Sequence, residues 1–352
     1  MFVDFITSVP GEGSVVITSA IRSIDVSTDA PAVRFAMSAD GDQIYTSVLY
    51  AYDGRVSLPD PGSVVESWMR SKSIHRATVR ITVSCVSDPS VFASKYLDCL
   101  FCSYALPDTF DPESVFFVSR SLFRVAADAR FPLYGPVSAG DPVTVLVSGV
   151  DAAGAPASGM IQARASDGFI TVDMAAWIKH VGDNDGVAVA GMVSVRSGNL
   201  EHTLAILREP QYLQFRFRNG FNLPEPVYLT GISTLKPEVS VDSAVCDGRL
   251  TQYNRRLIRT YEHVSGPLTR SEAASLVQML ESEHTQVVYG GSIYDIVITD
   301  HSTEVSSDDS SINVLKFSWQ FADRRPHLFG DDLDPLLSSS GIFTDQFRPQ
   351  YM

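Results

Sequence analysis

Four cysteines are the residues best suited to chemistry in this 352-residue chain: Cys85, Cys99, Cys102 and Cys246. Cys99-Leu-Phe-Cys102 is the one spacing that suggests redox or zinc chemistry. A redox CxxC pair opens a helix, whose amides lower the thiol pKa. This pair instead sits in a strand-like run, where residues three apart face opposite sides of a sheet and the thiols diverge. A zinc site needs two further ligands; Cys85 and His75 are available, but the spacing matches no ribbon or finger. The residues therefore read as buried apolar cysteines, and they are too few for a disulfide scaffold. A bridge from Cys85 to Cys99 or Cys102 would need an oxidising setting. Asp183-Asn-Asp-Gly186 has the composition of a calcium loop, but that register puts Val181 and Met192 at ligand positions, and neither can ligate. A tight turn explains it better. The seven histidines are dispersed, with no HExxH pattern, and no nucleophile elbow, Walker loop or GxGxxG motif occurs. The expectation is a protein that is not an enzyme and takes no metal or cofactor.

Recognition is the better use of the remaining residues. Arg216, Arg218, Arg249, Arg255, Arg256 and Arg259 make a locally basic stretch in a chain of net charge −14. They are either solvated strand faces or a patch that meets an acidic surface on a neighbouring copy and sets its orientation. A second set lies beyond Gly330, where Asp331-Asp-Leu-Asp-Pro-Leu-Leu-Ser-Ser-Ser-Gly341 has linker composition. It leads to Ile342, Phe343, Phe347 and Tyr351. Exposed apolar clusters are costly, so this arm either packs on its own domain or docks in a groove of a neighbouring subunit. The acidic balance argues against nucleic-acid binding through phosphate neutralisation and against an anionic membrane surface. The N-terminus lacks a basic region and a long apolar run. No stretch approaches the roughly 20 apolar residues that span a bilayer, so no membrane insertion is expected and the chain reads as made in a cytoplasm.

The elements that must position these residues are mostly strands. Leu213, Phe215 and Phe217 alternate with polar neighbours, as do Leu315, Phe317, Trp319 and Phe321, which is the period of half-buried strands. Helices are few and short. Ser63-Val-Val-Glu66 and Thr269-Arg-Ser-Glu272 both have capping-box spacing, and the second opens a helix to about Glu283 with Ala273, Leu276, Val277 and Leu280 on one face. A hairpin follows around residues 290–292. Two stretches about one hundred residues apart share a pattern. Ser47–Val56 and Met160–Ile170 each run strand, Asp-Gly turn and short strand, then a helical turn bearing Trp68 or Trp177, then further strands at 77–85 and 98–104 or at 187–195 and 202–207. Turn-rich joints place modules at 1–108, 109–209 and 210–329, with the linker and arm at 330–352. The fold class expected is mostly β: tandem sandwich or barrel-like modules with short capped helices.

The third module carries a resemblance. Phe217-Arg-Asn-Gly-Phe-Asn-Leu-Pro-Glu225, Tyr228-Leu-Thr-Gly231, Tyr253-Asn-Arg-Arg256, Tyr261-Glu-His-Val-Ser-Gly-Pro-Leu-Thr269, Phe317-Ser-Trp-Gln-Phe321 and Gly341-Ile-Phe-Thr-Asp-Gln-Phe347 follow in order. This succession resembles tail-associated proteins of phages and prophages of Bacteroidetes. Its order of strand, long hairpin, helix and strand looks like the tail-tube and distal-tail β modules. The resemblance covers the last 140 residues or so and implies a virion component. It implies a homo-oligomer, a ring, with tube or baseplate partners, and it brings no catalytic residues. The competing expectation is a tandem β-sandwich that binds carbohydrate or a receptor, with Trp68 and Trp177 as stacking residues. Their place in short amphipathic helices favours the core instead.

Overall fold

The computed structural model describes residues 1–6, 15–106, 110–209, 211–289, 292–303 and 312–323, and it is mostly β. The first module begins with β1 (Val3–Phe5), β2 (Val15–Ile17), β3 (Ser23–Thr28), β4 (Ala32–Ala39), β5 (Asp42–Tyr50) and β6 (Arg55–Pro59). Helix α1 (Pro61–Lys72), β7 (Arg76–Cys85) and β8 (Phe92–Leu100) complete it. Two sheets form, β1-β3-β6 and β2-β8-β7-β4-β5, with β2 parallel to β8. Strict alternation along β4 and β7 sends Val33, Phe35, Met37, Val79, Ile81 and Val83 inward. They pack with Ile24, Val26, Val56 and Leu58 of the smaller sheet and with Val65 and Met69 of α1, which makes a sandwich.

The second module repeats this series. It consists of β9 (Leu122–Val125), β10 (Arg130–Tyr134), β11 (Pro142–Val150), β12 (Pro156–Arg164), β13 (Phe169–Asp173), α2 (Met174–Asp185), β14 (Val189–Ser197) and β15 (Leu200–Ile206). Its sheets are β10-β13 and β9-β15-β14-β11-β12, with β9 parallel to β15. From β2 to β8 and from β9 to β15 the order, the pairing and the place of the helix are the same. The Asp-Gly turns also correspond, closed by the bridges Tyr52 to Arg55 and Ser166 to Phe169.

The third module contributes β16 (Leu213–Arg218), β17 (Pro224–Leu229), β18 (Gly231–Cys246), β19 (Arg249–Ser265), α3 (Arg270–Glu281), β20 (Thr285–Tyr289), β21 (Ser292–Thr303) and β22 (Leu315–Phe321). These strands make one seven-stranded sheet, β17-β16-β20-β21-β22-β19-β18. Its core joins Phe215, Phe217, Phe317 and Trp319 to Leu276, Met279 and Leu280 of α3. Tyr261 stacks on Trp319 at 4.5 Å between ring centroids, a contact that adds to simple area burial.

The chain folds as two compact units. Unit 1 holds residues 1–118 with the short segments 134–138 and 219–223; unit 2 holds the remainder. Within unit 1, Phe221 and Leu223 join Ile17, Leu100, Cys102 and Phe117 in a second small core. Asn222 adopts φ 59° and donates to the carbonyls of Met69 and Ile74 at 3.2 and 2.8 Å. It thereby ties its segment to the end of α1, where the Met69 carbonyl also accepts from Ser73 N and Ile74 N.

Local features differ from expectation in three places. Helix α1 starts at Pro61 under an Asp60 cap that accepts from Ser63 N, so Ser63 is not the cap; Pro at the first helical position sets this earlier start. Glu66 is thereby left to accept from Thr18 Oγ1 at 2.9 Å. Asp183-Asn-Asp185 forms the last turn of α2, and Gly186, at φ 70°, ends it in the left-handed conformation. Strand β8 runs 92–100 rather than 98–104, so Cys102 lies past its end.

Candidate assembly surface

Of the residues with chemical potential, Cys85, Cys99 and Cys102 are held in cores, whereas Cys246 is exposed at the end of β18. Cys99 packs in the sandwich core of unit 1 and Cys102 in the second small core, so the pair diverges. All four cysteines are free thiols. Burial pushes Cys99 up to about 12 and Cys102 up to about 11, which suppresses the nucleophilic thiolate. No cluster of three or more potential metal ligands occurs among the described residues. His263 is buried between Phe215 and Phe317, with Nδ1 2.8 Å from Ser233 Oγ, and burial pulls its pKa down to about 4. Trp68 is half-buried against the unit 1 core and donates to Asp42 at 3.2 Å; Trp177 is 7% exposed. The Trp177 indole therefore presents no face for a ligand.

Unit 2 also contains a buried ion pair. Glu225 accepts from Ser119 N at 2.8 Å, from Ser119 Oγ, and from Arg120 Nε at 3.2 Å, with both charged side chains almost fully buried. Arg120 donates again to the carbonyl of Pro226 at 2.9 Å and lies 4.4 Å over the Phe123 ring. Each charge is matched and hydrogen-bonded, as burial requires, so the group reads as structural.

The β18–β19 ribbon is different. Asp247 and Gly248 connect the strands with φ of 51° and 73°, the positive pair of a tight hairpin turn whose twist matches the strands. Cys246 faces Arg249 across the turn, and pairing continues to Gly231 opposite Ser265, with a bulge near Ser240. Only Tyr261–Val264 of β19 also pair with β22, and β18 is the last strand of the sheet. From Lys236 opposite Thr260 to the tip, the ribbon therefore has no other strand beside it among the described residues. That part is about 35 Å long and leaves two rows of backbone donors and acceptors open.

Its side chains are sorted by face. Alternation places Val239, Val241 and Val245 on one side, with Leu257 opposite Val239 and Leu250 opposite Val245. This aliphatic row continues the line of Leu235 and Tyr261, which are in or against the core. Yet Val239, Val245, Leu250 and Leu257 are all exposed. The other side carries Lys236, Glu238, Ser240 and Asp242, with Thr260 and Ile258 across from Lys236 and Glu238. Charge is sorted by strand as well. Beyond Lys236, β18 carries Glu238 and Asp242, whereas β19 carries Arg249, Arg255, Arg256 and Arg259. At the base, Glu262 is bound by Lys236 and by Lys316 (3.3 Å), and these bonds hold its carboxyl below the ordinary range.

The expected basic stretch is thus divided. Arg249 and Arg259 are exposed on the ribbon, and Arg255 and Arg256 belong to the same strand, their side chains outside the described set. Arg216 and Arg218 are half-buried on β16, across β20, β21 and β22 from the ribbon. Adjacency in sequence did not carry through the sheet order. Ile342, Phe343, Phe347 and Tyr351 lie outside the described residues. Among described residues, no helix is long and apolar enough to cross a membrane. No protein-family model matches the chain, and no curated protein matches it.

Proposed function

We propose that this chain is a structural subunit of a phage tail or a related injection apparatus. It acts by assembling with further copies and with tube or baseplate proteins, rather than by catalysis. The observation that supports this reading is the ribbon, which among the described residues has open edges on both sides and an exposed aliphatic face. A neighbouring copy can supply what each side lacks. Its β18 would add to the open edge of β19, completing main-chain hydrogen bonds in the manner of strand addition. The acidic strand then meets the basic strand, which fixes which edge meets which. A contact between two different surfaces repeats head to tail and closes as a ring when the rotation allows. The aliphatic row gives such a ring its apolar contact, which obligate interfaces require. The phage assignment rests on the third module's resemblance, and the virion is the expected location. The segment 342–351 would be a second docking element.

Excision tests this reading. Lys236 and Thr260 are paired in register, so residues 237–259 can be replaced by an Asn-Gly turn without disturbing the seven-stranded core. The intact chain is expected to sediment as a closed oligomer and the shortened chain as a monomer with an unchanged melting temperature. An intact chain that remains monomeric at high concentration, or a shortened one that assembles equally well, would refute the proposal.

A further inference from the structure

We infer that the outer face of the β2-β8-β7-β4-β5 sheet binds an anionic polysaccharide. Registers across this sheet define its surface row by row. Val48, Arg34, Ser84 and Phe92 lie side by side, followed by Thr46, Ala36, Thr82 and Ser94, and then by Ser38, Arg80 and Tyr96. The two middle strands thus present mostly small side chains, a low floor, while aromatic residues stand on the flanking strands. Phe92 and Tyr96 are about 13 Å apart on β8, and β5 lies about 14 Å across the sheet. On that side Tyr50 is 80% exposed, and Tyr52, at the start of the Asp-Gly turn, is 88% exposed.

The second module shows that the fold does not demand these aromatics. Matching the two Asp-Gly turns brings Arg164 and Ser166 to the places of Tyr50 and Tyr52. The same architecture therefore stands with polar residues there, and two almost fully exposed tyrosines add nothing to the first module's core. Tyrosine offers a flat apolar ring with a wet hydroxyl, the kind of surface that stacks on the C–H face of a sugar. The floor adds Thr46, Thr82, Ser84 and Ser94, hydroxyls that both donate and accept. Aliphatic side chains, which a protein partner would need at the centre of its contact, are concentrated on the ribbon instead.

Charge decides which sugar. The chain carries −14 overall, yet this face presents Arg34, Arg76 and Arg80 against Asp98. Arg76 is committed to Asp98 through two bonds of 3.0 and 2.6 Å. Arg80 lies 5.8 Å over the Tyr96 ring, and Arg34 has no carboxylate partner among the described residues. Two guanidinium groups beside stacking rings match carboxylates carried on sugar rings, which arginine binds in a forked geometry. In an otherwise repulsive field, such binding depends strongly on salt.

The test uses the full chain in affinity electrophoresis and surface plasmon resonance with alginate, polygalacturonate and hyaluronate. Neutral dextran and poly-L-glutamate serve as controls. At least one anionic polysaccharide is expected to bind, with dextran and polyglutamate much weaker. The double variant Tyr50→Ala/Tyr52→Ala should lose about tenfold or more in affinity. Arg34→Ser should weaken binding and flatten its salt dependence. Arg164→Ala/Ser166→Ala at the matching places should leave binding unchanged. All five residues are outside the core, so unchanged melting is the folding control. The inference fails if none of the three polysaccharides binds. It also fails if polyglutamate binds equally and the tyrosine variant is silent, or if that variant changes only the sedimentation of the protein.

Discussion

Helices α1 and α2 hold the same place in two matching series of strands, and each is closed at both ends by the same devices. Asp60 accepts from Ser63 N and Asp173 from Ala176 N, and both chains leave the helix through a left-handed residue, Ser73 or Gly186. The apolar faces agree too, with Val65 and Met69 buried in one and Met174, Trp177 and Val181 in the other. The differences lie elsewhere. Val83 pairs with Ala93 in the first module, and at the matching position Val195 pairs with His202. Tyr50 and Tyr52 give way to Arg164 and Ser166. What the modules share is what the sandwich needs in order to close; what only one of them has calls for another explanation.

The two indoles give the sharpest way to break this comparison. Trp177 is buried and Trp68 only half so. Trp177→Ala should destabilise unit 2 by about 3–5 kcal/mol, since it combines lost transfer energy with a cavity. Trp68→Ala should cost unit 1 about 1–2 kcal/mol, because part of its ring already meets solvent. Urea unfolding followed by site-specific hydrogen exchange separates the two units. Equal effects would mean that the helices do not play matching parts.

Both tryptophans were legible as core residues because their helical spacing with Val64 and Val65 or with Met174 marks an inward face. The strand alternation around Phe215, Phe317 and Trp319 was equally plain, as was the Thr269 capping box, which forms with Glu272 as its spacing implies. The Ser63 box was not, because Asp60-Pro61 offers a competing start that wins once Glu66 finds Thr18. The ribbon was hidden for a deeper reason. Val239, Val241 and Val245 alternate as any half-buried strand does, and a sequence pattern marks an apolar face without saying what covers it. For the arginines the sequence left open a single patch or the faces of two strands, and they lie on two strands, Arg216 and Arg218 on β16 and the others on β19.

His202 offers a second test. It is packed edge-on to Phe123 at 4.7 Å, and burial, with a smaller contribution from Arg120, pulls its pKa down to about 4 from the ordinary 6.5. Between those values the unfolded chain binds the proton and the folded chain does not. Stability from this group is therefore complete above pH 6.5, falls as the pH drops, and levels off near pH 4. The loss approaches about 3 kcal/mol at the acid end. Replacing it by an apolar side chain that cannot take up a proton, His202→Leu, should raise the urea midpoint of unit 2 at pH 4.5 while changing it little at pH 7.5. A variant with the same pH dependence as the parent would show that the lability comes from another group, and His263, equally depressed in unit 2, would be the next to replace.

The smallest expected effect lies at the helix ends, where the comparison is closest. Ser73 and Gly186 hold φ of 59° and 70°, a conformation in which a β-carbon is strained and glycine is not. Gly186→Ala should therefore destabilise unit 2 by about 1 kcal/mol. The reciprocal change, Ser73→Gly, should stabilise unit 1 by up to about 1 kcal/mol, because relief of strain exceeds the added freedom of the unfolded chain. Ser73 N donates to the carbonyls of Arg70 and Met69, and glycine keeps that amide, so nothing else is lost. Thermal melts of the pair should move in opposite directions. If both variants melt lower, Ser73 contributes more than its backbone conformation, and the two caps are alike in geometry but not in what their side chains hold.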